Sequence, residues 1–317
     1  MGKSTRIMLV GADGQLGWHL QRQLQAIGPV RLTTLNPVVL PGVGFMQVDI
    51  TRHDEIEAAF KKFRPNVIIN ASAYTAVDKA EQERDLAFAI NCHAVEKMAQ
   101  LAAENDALMV HYSTDYVFDG KGQVALTENS ATSPINVYGE SKLAGEAAIV
   151  ASGAHHLIFR TSGLFSSVGQ NFVLTMLKLG RERDALKVVN DQVSAPTWAG
   201  FVSSATAAIL ANIKPSGGTT WEETLAGRSG IYHLCSGNEA SWFEFSSEIF
   251  KQAHVMGLLE SVPQLATVST ADWPTAAARP LFSMLSTEKI RSTFDIRVPC
   301  WEESLSYVLA EIAGQNN

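Results

Sequence analysis

The segment that most constrains the fold of this chain is a glycine-rich turn between a short apolar run and a helical pattern. Gly11, Gly14 and Gly17 follow the apolar residues 7–10, and leucines at helical spacing continue to residue 24. Such a turn lets the backbone approach a pyrophosphate closely, and the helix start offers it unpaired N–H groups. The spacing is G-x-x-G-x-x-G rather than G-x-G-x-x-G, so a turn without a ligand stays an alternative. The order of strand, turn and helix favours nucleotide binding.

Short apolar segments alternate with helical patterns through the first half of the chain. The predicted strands are 7–10, 31–35, 45–48, 67–70, 108–112 and 156–159, and the predicted helices between them are 54–63, 85–104 and 141–150. This alternation is typical of an α/β, Rossmann-like, doubly wound parallel sheet, whose ligands bind beyond the carboxyl ends of the strands. We assign residues 1–165 to this dinucleotide-binding domain.

The pattern becomes irregular after about residue 165, where prolines interrupt it repeatedly. Helices are predicted at 242–256 and 302–312, and residues 214–230 are expected to form a long loop. We interpret residues 166–317 mainly as a smaller C-terminal substrate-binding lobe, with some segments returning to the Rossmann sheet.

Charge and cysteine content limit the classes of partner. The formal net charge is -7 and basic residues do not cluster, which argues against a nucleic-acid surface. Cys92, Cys235 and Cys300 lack metal-ligand or redox spacing, so we expect reduced thiols in a cytoplasmic protein. No apolar run is long enough to span a membrane, and we expect no signal peptide because the first residues lead directly into a strand.

Tyr138 and Lys142 are four residues apart in a helix-forming segment, and this spacing puts them on one helix face. An ammonium group near a phenol favours the phenolate, which lowers the tyrosine pKa from about 10 towards the range useful for proton transfer. Such pairs also occur by chance on solvated helices. The glycine turn upstream is what favours proton-transfer chemistry here.

Several phrases together resemble the extended short-chain dehydrogenase/reductase superfamily, and within it the family of dTDP-4-dehydrorhamnose reductases. The similarity covers nearly the whole chain and is carried by residues 11–17, 64–71, 74–81, 112–120, 136–146, 159–162, 190–192 and 195–197. It implies reduction of dTDP-4-dehydro-L-rhamnose to dTDP-L-rhamnose by hydride transfer from NAD(P)H, a step of dTDP-rhamnose and cell-surface polysaccharide biosynthesis.

The resemblance also implies roles for catalytic and substrate-binding residues. Tyr138 would give its proton to the carbonyl oxygen, and Lys142 would lower the Tyr138 pKa and hold the ribose hydroxyls of the nicotinamide. Thr114 would hydrogen-bond the same oxygen, with a strand-end cap as its alternative. Asp115 and Tyr116 would face the sugar, although Asp115 is also a common turn former.

For the cofactor, the resemblance implies three groups of contacts in addition to Tyr138 and Lys142. The pyrophosphate would meet Gly11, Asp13, Gly14, Gln15 and Leu16, the adenine would meet Asp49 and Ile50, and the ribose and nicotinamide would meet Ala71, Ser72, Ala73 and Tyr74. Asn91 is either a further contact or a buried polar helix residue. The uncharged Asn36 after the second strand favours NADPH over NADH, with NADH still open.

Arg279 lies in an Arg-Pro phrase that the family shares. The resemblance implies contact with the nucleotide diphosphate of the substrate, and a surface ion pair is the alternative.

Two departures from the family bear on the substrate and on metal binding. Gly163 stands where the family usually has a tryptophan near the sugar, and a related 4-keto-6-deoxy sugar nucleotide is therefore an alternative substrate. His19 stands where some members carry an acid that binds Mg²⁺ at a dimer contact, so we assign no metal while keeping a homodimer as an expectation. A non-catalytic regulatory subunit, like the β subunit of methionine adenosyltransferase, and an epimerase or dehydratase with tightly bound NAD are the rival functions.

Overall fold

The computed structural model describes residues 5–36 and 44–315. Its strands are β1 (Ile7–Val10), β2 (Val30–Thr34), β3 (Phe45–Gln47), β4 (Val67–Asn70), β5 (Leu108–Thr114), β6 (His156–Thr161), β7 (Leu164–Phe165), β8 (Ala185–Val189), β9 (Val193–Ser194), β10 (Thr197–Trp198), β11 (Gly230–His233), β12 (Ala240–Ser241) and β13 (Gln264–Val268).

Helices follow most of these strands. They are α1 (Gln15–Gln23), α2 (His53–Phe63), α3 (Val77–Ala80), α4 (Arg84–Phe88), α5 (Ala94–Glu104), α6 (Val137–Ala151), α7 (Phe172–Glu182), α8 (Ala199–Ile213), α9 (Trp221–Leu225), α10 (Trp242–Val255), α11 (Glu288–Phe294) and α12 (Trp301–Gln315). A π-helical turn, Ala89–His93, joins α4 to α5, so the single helix predicted for 85–104 changes its winding in the middle.

Seven strands of the described chain form one sheet in the order β11-β6-β5-β4-β1-β2-β3, and all neighbours in it are parallel. This arrangement confirms the Rossmann-like doubly wound sheet. The strand order reverses between β1 and β4, and the crevice at such a switch point is where α/β sheets bind their ligands.

Alternating side chains of the buried strands reach two different helix layers. Ile7 and Leu9 pack with α1 and α8 on one face of the sheet. Met8 and Val10 pack with α2 and α5 on the other face. Both faces are therefore covered, which explains why β1 is apolar at every position.

The second half of the chain contributes to two separate cores. α8 packs on the sheet core together with residues from α9, β11 and α11, and β11 itself pairs with β6. A different core joins α7, α10 and α12 around Phe165, Phe245 and Phe250. α8 therefore packs on the sheet and β11 is part of it, while α7, α10 and α12 share a core of their own.

No helix among the described residues combines the length and the apolar character that a bilayer crossing requires.

The close contact of α1 with the glycine turn predicts that alanine at Gly17 destabilises the protein more than alanine at Gly14. A Cβ at Gly17 would collide with Gly11 O and the Ala12 backbone, whereas one at Gly14 would meet only Gly11 O at 3.5 Å. We expect Gly17→Ala to lower the free energy of unfolding by about 1–3 kcal/mol, because the backbone must move to admit the methyl group. Gly14→Ala should cost at most about 1 kcal/mol, as an N-cap change. Chemical denaturation of both variants checks this, and equal losses would contradict it.

Candidate active site

A cavity of about 850 Å³ opens at the carboxyl ends of β1, β4, β5 and β6. Its walls contain most of the residues proposed from the sequence: Gly11, Asp13, Gly14, Gln15, Leu16, Asp49, Ile50, Ala71, Ser72, Ala73, Thr114, Asp115, Tyr116, Tyr138 and Lys142. The opposite wall comes from the lobe and includes Gln192, Ser194 and Trp242. Tyr74, Asn91 and Arg279 are the proposed residues that do not line this cavity.

The glycine turn has a backbone that glycine adopts readily and that places Gly11 close to Ser72. Gly11 has φ +75°, and a Cβ there would lie 2.6 Å from Ser72 N. Gly14 caps α1 with no side-chain hydrogen bond to the first N–H groups of the helix. The turn also touches the lobe, because Gln15 Nε2 donates to Gln170 O at 3.0 Å and Asn171 Nδ2 donates to Gln15 Oε1 at 3.0 Å.

The far end of the cavity is lined by residues after β2 and β3. Asp49 Oδ1 accepts hydrogen bonds from the backbone N–H and the hydroxyl of Thr51, at 2.9 and 2.7 Å. Leu35 lines the same end and is 53% exposed. The residues after Asn36, which bear on the preference between NADPH and NADH, include 37–43 outside the described part of the chain.

Tyr74 and Asn91 bind each other and other protein groups rather than lining the cavity. The Tyr74 hydroxyl donates to Glu83 Oε2 at 2.6 Å. The Asn91 amide accepts from Tyr74 N at 2.9 Å and donates to Tyr74 O at 3.0 Å. It also donates to Ser141 Oγ on α6 at 3.0 Å. The buried asparagine thus ties the strand-end loop to the helix that carries Tyr138.

Tyr138 lies in the first turn of α6. Asn136 caps this helix by accepting from Gly139 N at 2.8 Å. The Tyr138 ring meets Tyr116 edge to face, with centroids 5.8 Å apart. Burial raises the pKa of Tyr138 to about 12, the Asp115 carboxylate adds to this, and a hydrogen bond with Thr114 opposes it.

Lys142 is directed to β5 rather than to the Tyr138 phenol. Its Nζ donates to Tyr112 O at 2.6 Å and lies 3.2 Å from His111 Nε2. Burial lowers the pKa of Lys142 to about 8, against the opposing effect of Glu146. The expected lowering of the Tyr138 pKa by Lys142 is therefore not found, because burial dominates and the amine is engaged with β5.

Asp115 is a buried carboxylate with its oxygens engaged by hydroxyl groups. It accepts from Ser283 at 2.5 Å, from Ser162 at 3.1 Å and from Thr114 at 3.2 Å. Burial raises the pKa of Asp115 to about 6, although these hydrogen bonds oppose the shift. Ser162 and Ser283 were not proposed from the sequence. Ser162 belongs to the Arg-Thr-Ser phrase, but Ser283 is 168 residues from Asp115 and carries no local signal.

Arg279 forms an ion pair beside the cavity. Its guanidinium donates to both carboxylate oxygens of Asp78, at 3.0 and 2.7 Å. The same bond holds the pKa of Asp78 below its ordinary value. The geometry matches the ion-pair alternative, while the next residue, Pro280, does line the cavity.

His19, which stands where some members of the family carry a metal-binding acid, contacts other protein side chains. Its Nε2 lies 2.9 Å from Ser166 Oγ, its ring meets Trp198 edge to face, and burial lowers its pKa. Within the described ranges, no three His, Cys, Asp or Glu side chains are grouped so that they could hold a metal ion.

The backbone conformation at Gly163 favours glycine. Its φ is +50°, and a Cβ would lie 3.3 Å from Pro196 Cα. A tryptophan at this position would be strained in the present backbone. An indole reaches the cavity from elsewhere, since Trp242 lines the lobe wall and its ring lies 4.5 Å from that of Phe172.

Comparisons with known proteins agree with this geometry. Residues 5–313 match the family model described as "RmlD substrate binding domain". The chain is 40% identical over 308 residues to dTDP-4-dehydrorhamnose reductase of Salmonella typhimurium, covering 96% of this chain and 97% of the relative. It is 39% identical over 308 residues to the enzyme of that name from Escherichia coli (strain K12), again covering 96% and 97%.

A solved structure is similar over the whole length. The dTDP-4-dehydrorhamnose reductase of Bacillus anthracis in complex with NADP has a TM-score of 0.82 and 32% identity, covering 97% of this chain and 99% of that one. UDP-glucose 4-epimerase of Thermus thermophilus shares the fold at 17% identity, with a TM-score of 0.76, 98% of this chain covered and 99% of that one.

The buried amine of Lys142 predicts that the effect of its removal on the free energy of unfolding depends on pH. The pKa of Lys142 in the folded protein lies below its pKa in the unfolded chain. Lys142 therefore lowers the stability of the wild type most below about pH 8, and this loss shrinks as the pH rises to the unfolded pKa. We expect the stability of Lys142→Met relative to the wild type to fall by about 2 kcal/mol between pH 7 and pH 9.5. Denaturant unfolding at both pH values measures this. The exposed Lys178→Met is the control, and a pH-independent difference for Lys142→Met would contradict the assignment.

Proposed function

The chain belongs to the dTDP-4-dehydrorhamnose reductase family, and we propose that it reduces dTDP-4-dehydro-L-rhamnose to dTDP-L-rhamnose with NADPH. The observation that carries the proposal is the meeting of Tyr138, Thr114 and Lys142 with the glycine turn in one cavity. A proton donor and a dinucleotide cradle at the switch point of a doubly wound sheet suit reduction of a carbonyl group.

The lining of the cavity suits a dinucleotide. The positive φ of Gly11 and the start of α1, which has no side-chain cap, suit a pyrophosphate. Asp49 and Ile50 would hold the adenine, and Ala71, Ser72 and Ala73 the ribose and nicotinamide path. Bound NADPH supplies the hydride that reduces the C4 carbonyl. The NADP complex of the Bacillus anthracis relative supports NADPH as the partner.

The raised pKa of Tyr138 suits the reductive direction. A phenol whose pKa is about 12 is fully protonated at neutral pH, so it is ready to donate to the oxygen that gains negative charge. Thr114, which hydrogen-bonds Tyr138, would hold the same oxygen. Lys142 would hold ribose hydroxyls with N–H groups that its bond to Tyr112 O does not use.

Substrate contacts are proposed for the part of the cavity between β5 and the lobe. Asp115 gives this part a polar wall, and its bonds to Ser162 and Ser283 fix the carboxylate there. Tyr116 would face the sugar from the same wall. Arg279 would hold a diphosphate with the guanidinium N–H groups that Asp78 leaves open, because the ion pair uses only one N–H of each terminal nitrogen.

Gly163 favours a second candidate substrate, a related 4-keto-6-deoxy sugar nucleotide. The left-handed backbone excludes an unstrained indole at this position, so the sugar has a different wall from the one that the family usually provides. The reaction and the proton donor would be unchanged.

Assembly and location remain proposals. The family resemblance supports a homodimer, and the scattered cysteines support a cytoplasmic protein. Sedimentation equilibrium of the purified chain tests the first, and fractionation of the source cell tests the second.

The proton-donor role predicts the effect of removing one oxygen atom. Tyr138→Phe should abolish NADPH-dependent turnover of dTDP-4-dehydro-L-rhamnose, because no other group at that position can protonate the oxygen. The Kd for NADPH should stay within about threefold, since only one hydrogen-bonding group is lost. Absorbance of the reduced nicotinamide measures turnover, and fluorescence titration measures binding. Substantial remaining turnover would identify another proton donor, and no turnover by the wild type with any 4-keto-6-deoxy sugar nucleotide would refute the reductase.

The position of Trp242 predicts a role in holding the sugar. Trp242→Ala should raise KM for the sugar nucleotide about tenfold, because it removes a large apolar surface from the lobe wall. The NADPH Kd should change little. Trp18→Ala is the matched control, since Trp18 lies on α1 outside the cavity. Steady-state kinetics decide, and an unchanged KM would show that Trp242 only packs against Phe172.

A further inference from the structure

A buried polar chain runs from the cavity wall to Lys142. It consists of Ser72, Asn70, His111 and Lys142, in contact in that order. Asn70 and His111 are fully buried and Lys142 is 1% exposed. Asn70 and His111 are paired neighbours on β4 and β5, which explains why their side chains meet. None of the roles above uses His111.

The direction of each hydrogen bond from Ser72 to Lys142 can be deduced by starting at Ser72. Ser72 N must donate, and its partner at 3.1 Å is Asn70 Oδ1. The Ser72 hydroxyl donates to the same oxygen at 2.6 Å. Turning the amide around would set Asn70 Nδ2 against the Ser72 N–H, donor against donor. The oxygen of Asn70 therefore faces Ser72, and Nδ2 faces His111.

The orientation of Asn70 selects the tautomer of His111. Asn70 Nδ2 lies 3.2 Å from His111 Nδ1, which must then be the bare, accepting nitrogen. The proton of the neutral ring is left on Nε2, which faces Lys142 Nζ at 3.2 Å. Burial and the Lys142 charge hold the pKa of His111 well below its ordinary value, which keeps the ring neutral.

An ammonium group cannot accept this Nε2–H because it has no lone pair, whereas an uncharged amine can. The amine still has hydrogens to donate to Tyr112 O at 2.6 Å. We propose that His111 is a positioning residue for Lys142: it donates its Nε2–H to the lysine and so favours the uncharged amine, held against β5. This inference rests on the proposed role of Lys142 in holding the cofactor.

Other ionisable groups around Lys142 oppose or leave this effect unchanged. Glu146 on the same helix favours the charged amine, but its carboxylate forms a buried pair with Arg160 of β6. Tyr112 presents its backbone carbonyl. Tyr138 and Asp115 lie along the cavity, and in the π-helical turn that packs on α6, His93 is exposed and Cys92 is a thiol whose pKa burial raises.

The consequence is a coupling between cofactor binding and the charge of Lys142. A charged amine is the better donor to ribose hydroxyls, so NADPH should draw a proton onto Lys142 when the pH lies above the amine's pKa. NADPH affinity should accordingly fall as pH rises through about 8. Loss of the Nε2–H should let Lys142 keep its proton to higher pH.

The tautomer is tested directly by two-bond ¹H–¹⁵N correlation spectra of histidine-labelled protein at pH 9. The chain has eight histidines, and the His111 signals are those lost in His111→Gln. We expect Nε2 protonated and Nδ1 bare. A proton on Nδ1 would overturn the proposal, whether or not the protein turns over any sugar.

The coupling is tested by NADPH titration from pH 6 to pH 10 without substrate. In His111→Phe the midpoint of the affinity loss should move up by about one pH unit, because the bond that favours the uncharged amine is gone. His111→Gln can still present an N–H and should stay near the wild type. His156→Phe, at the amino end of the neighbouring strand β6, is the control and should leave the midpoint unchanged.

The direction of the shift separates the possible outcomes. A downward shift would mean that His111 accepts from Lys142, and weaker binding at every pH with a fixed midpoint would mean that it only packs; either overturns the proposal. The expected shift without turnover of any keto-sugar would refute the proposed function and leave the role of His111 standing. If NADPH did not bind at all, the function would be refuted and the tautomer would still decide the inference.

Discussion

The attachment of α6 to the sheet is the constraint on which the site depends. Lys142 donates to the Tyr112 carbonyl on β5, and one turn further along Glu146 forms a buried, two-bond ion pair with Arg160 on β6. Both contacts are inside the protein, where loss of one partner leaves an unpaired buried polar group. They hold the helix so that Tyr138, in its first turn, reaches the cavity beside Thr114.

The same burial that positions the site also sets its proton chemistry. Desolvation raises the pKa of Tyr138 and lowers that of Lys142, so burial shifts both groups towards their uncharged forms. An uncharged phenol is the form that a reductase needs in its donor. A lysine with a pKa of about 8 can change its charge when a cofactor arrives, at little cost.

Local patterns predicted the sheet well, because buried parallel strands are short apolar runs: β1 and β4 have the predicted bounds. α9 was expected to be loop, although Thr220 and Glu223 form a capping box that the sequence displays. Contacts between distant segments were beyond such patterns. Ser283 donates a hydrogen bond to Asp115 from a distant segment, and Asn91 bonds to Tyr74 rather than facing the cavity. Both contacts depend on how distant parts of the chain come together. The direction of the Tyr138 pKa shift likewise depends on burial, which spacing does not reveal.

The central claim is that this cavity delivers a hydride and a proton to the C4 carbonyl of a keto-sugar nucleotide. The most direct test uses dTDP-4-dehydro-L-rhamnose with NADPH that carries deuterium at the transferred position. A hydride donated from NADPH gives dTDP-L-rhamnose with one deuterium at C4 for each NADPH oxidised, seen by proton NMR of the product. A product without deuterium at C4, or formed without net oxidation of NADPH, would contradict it.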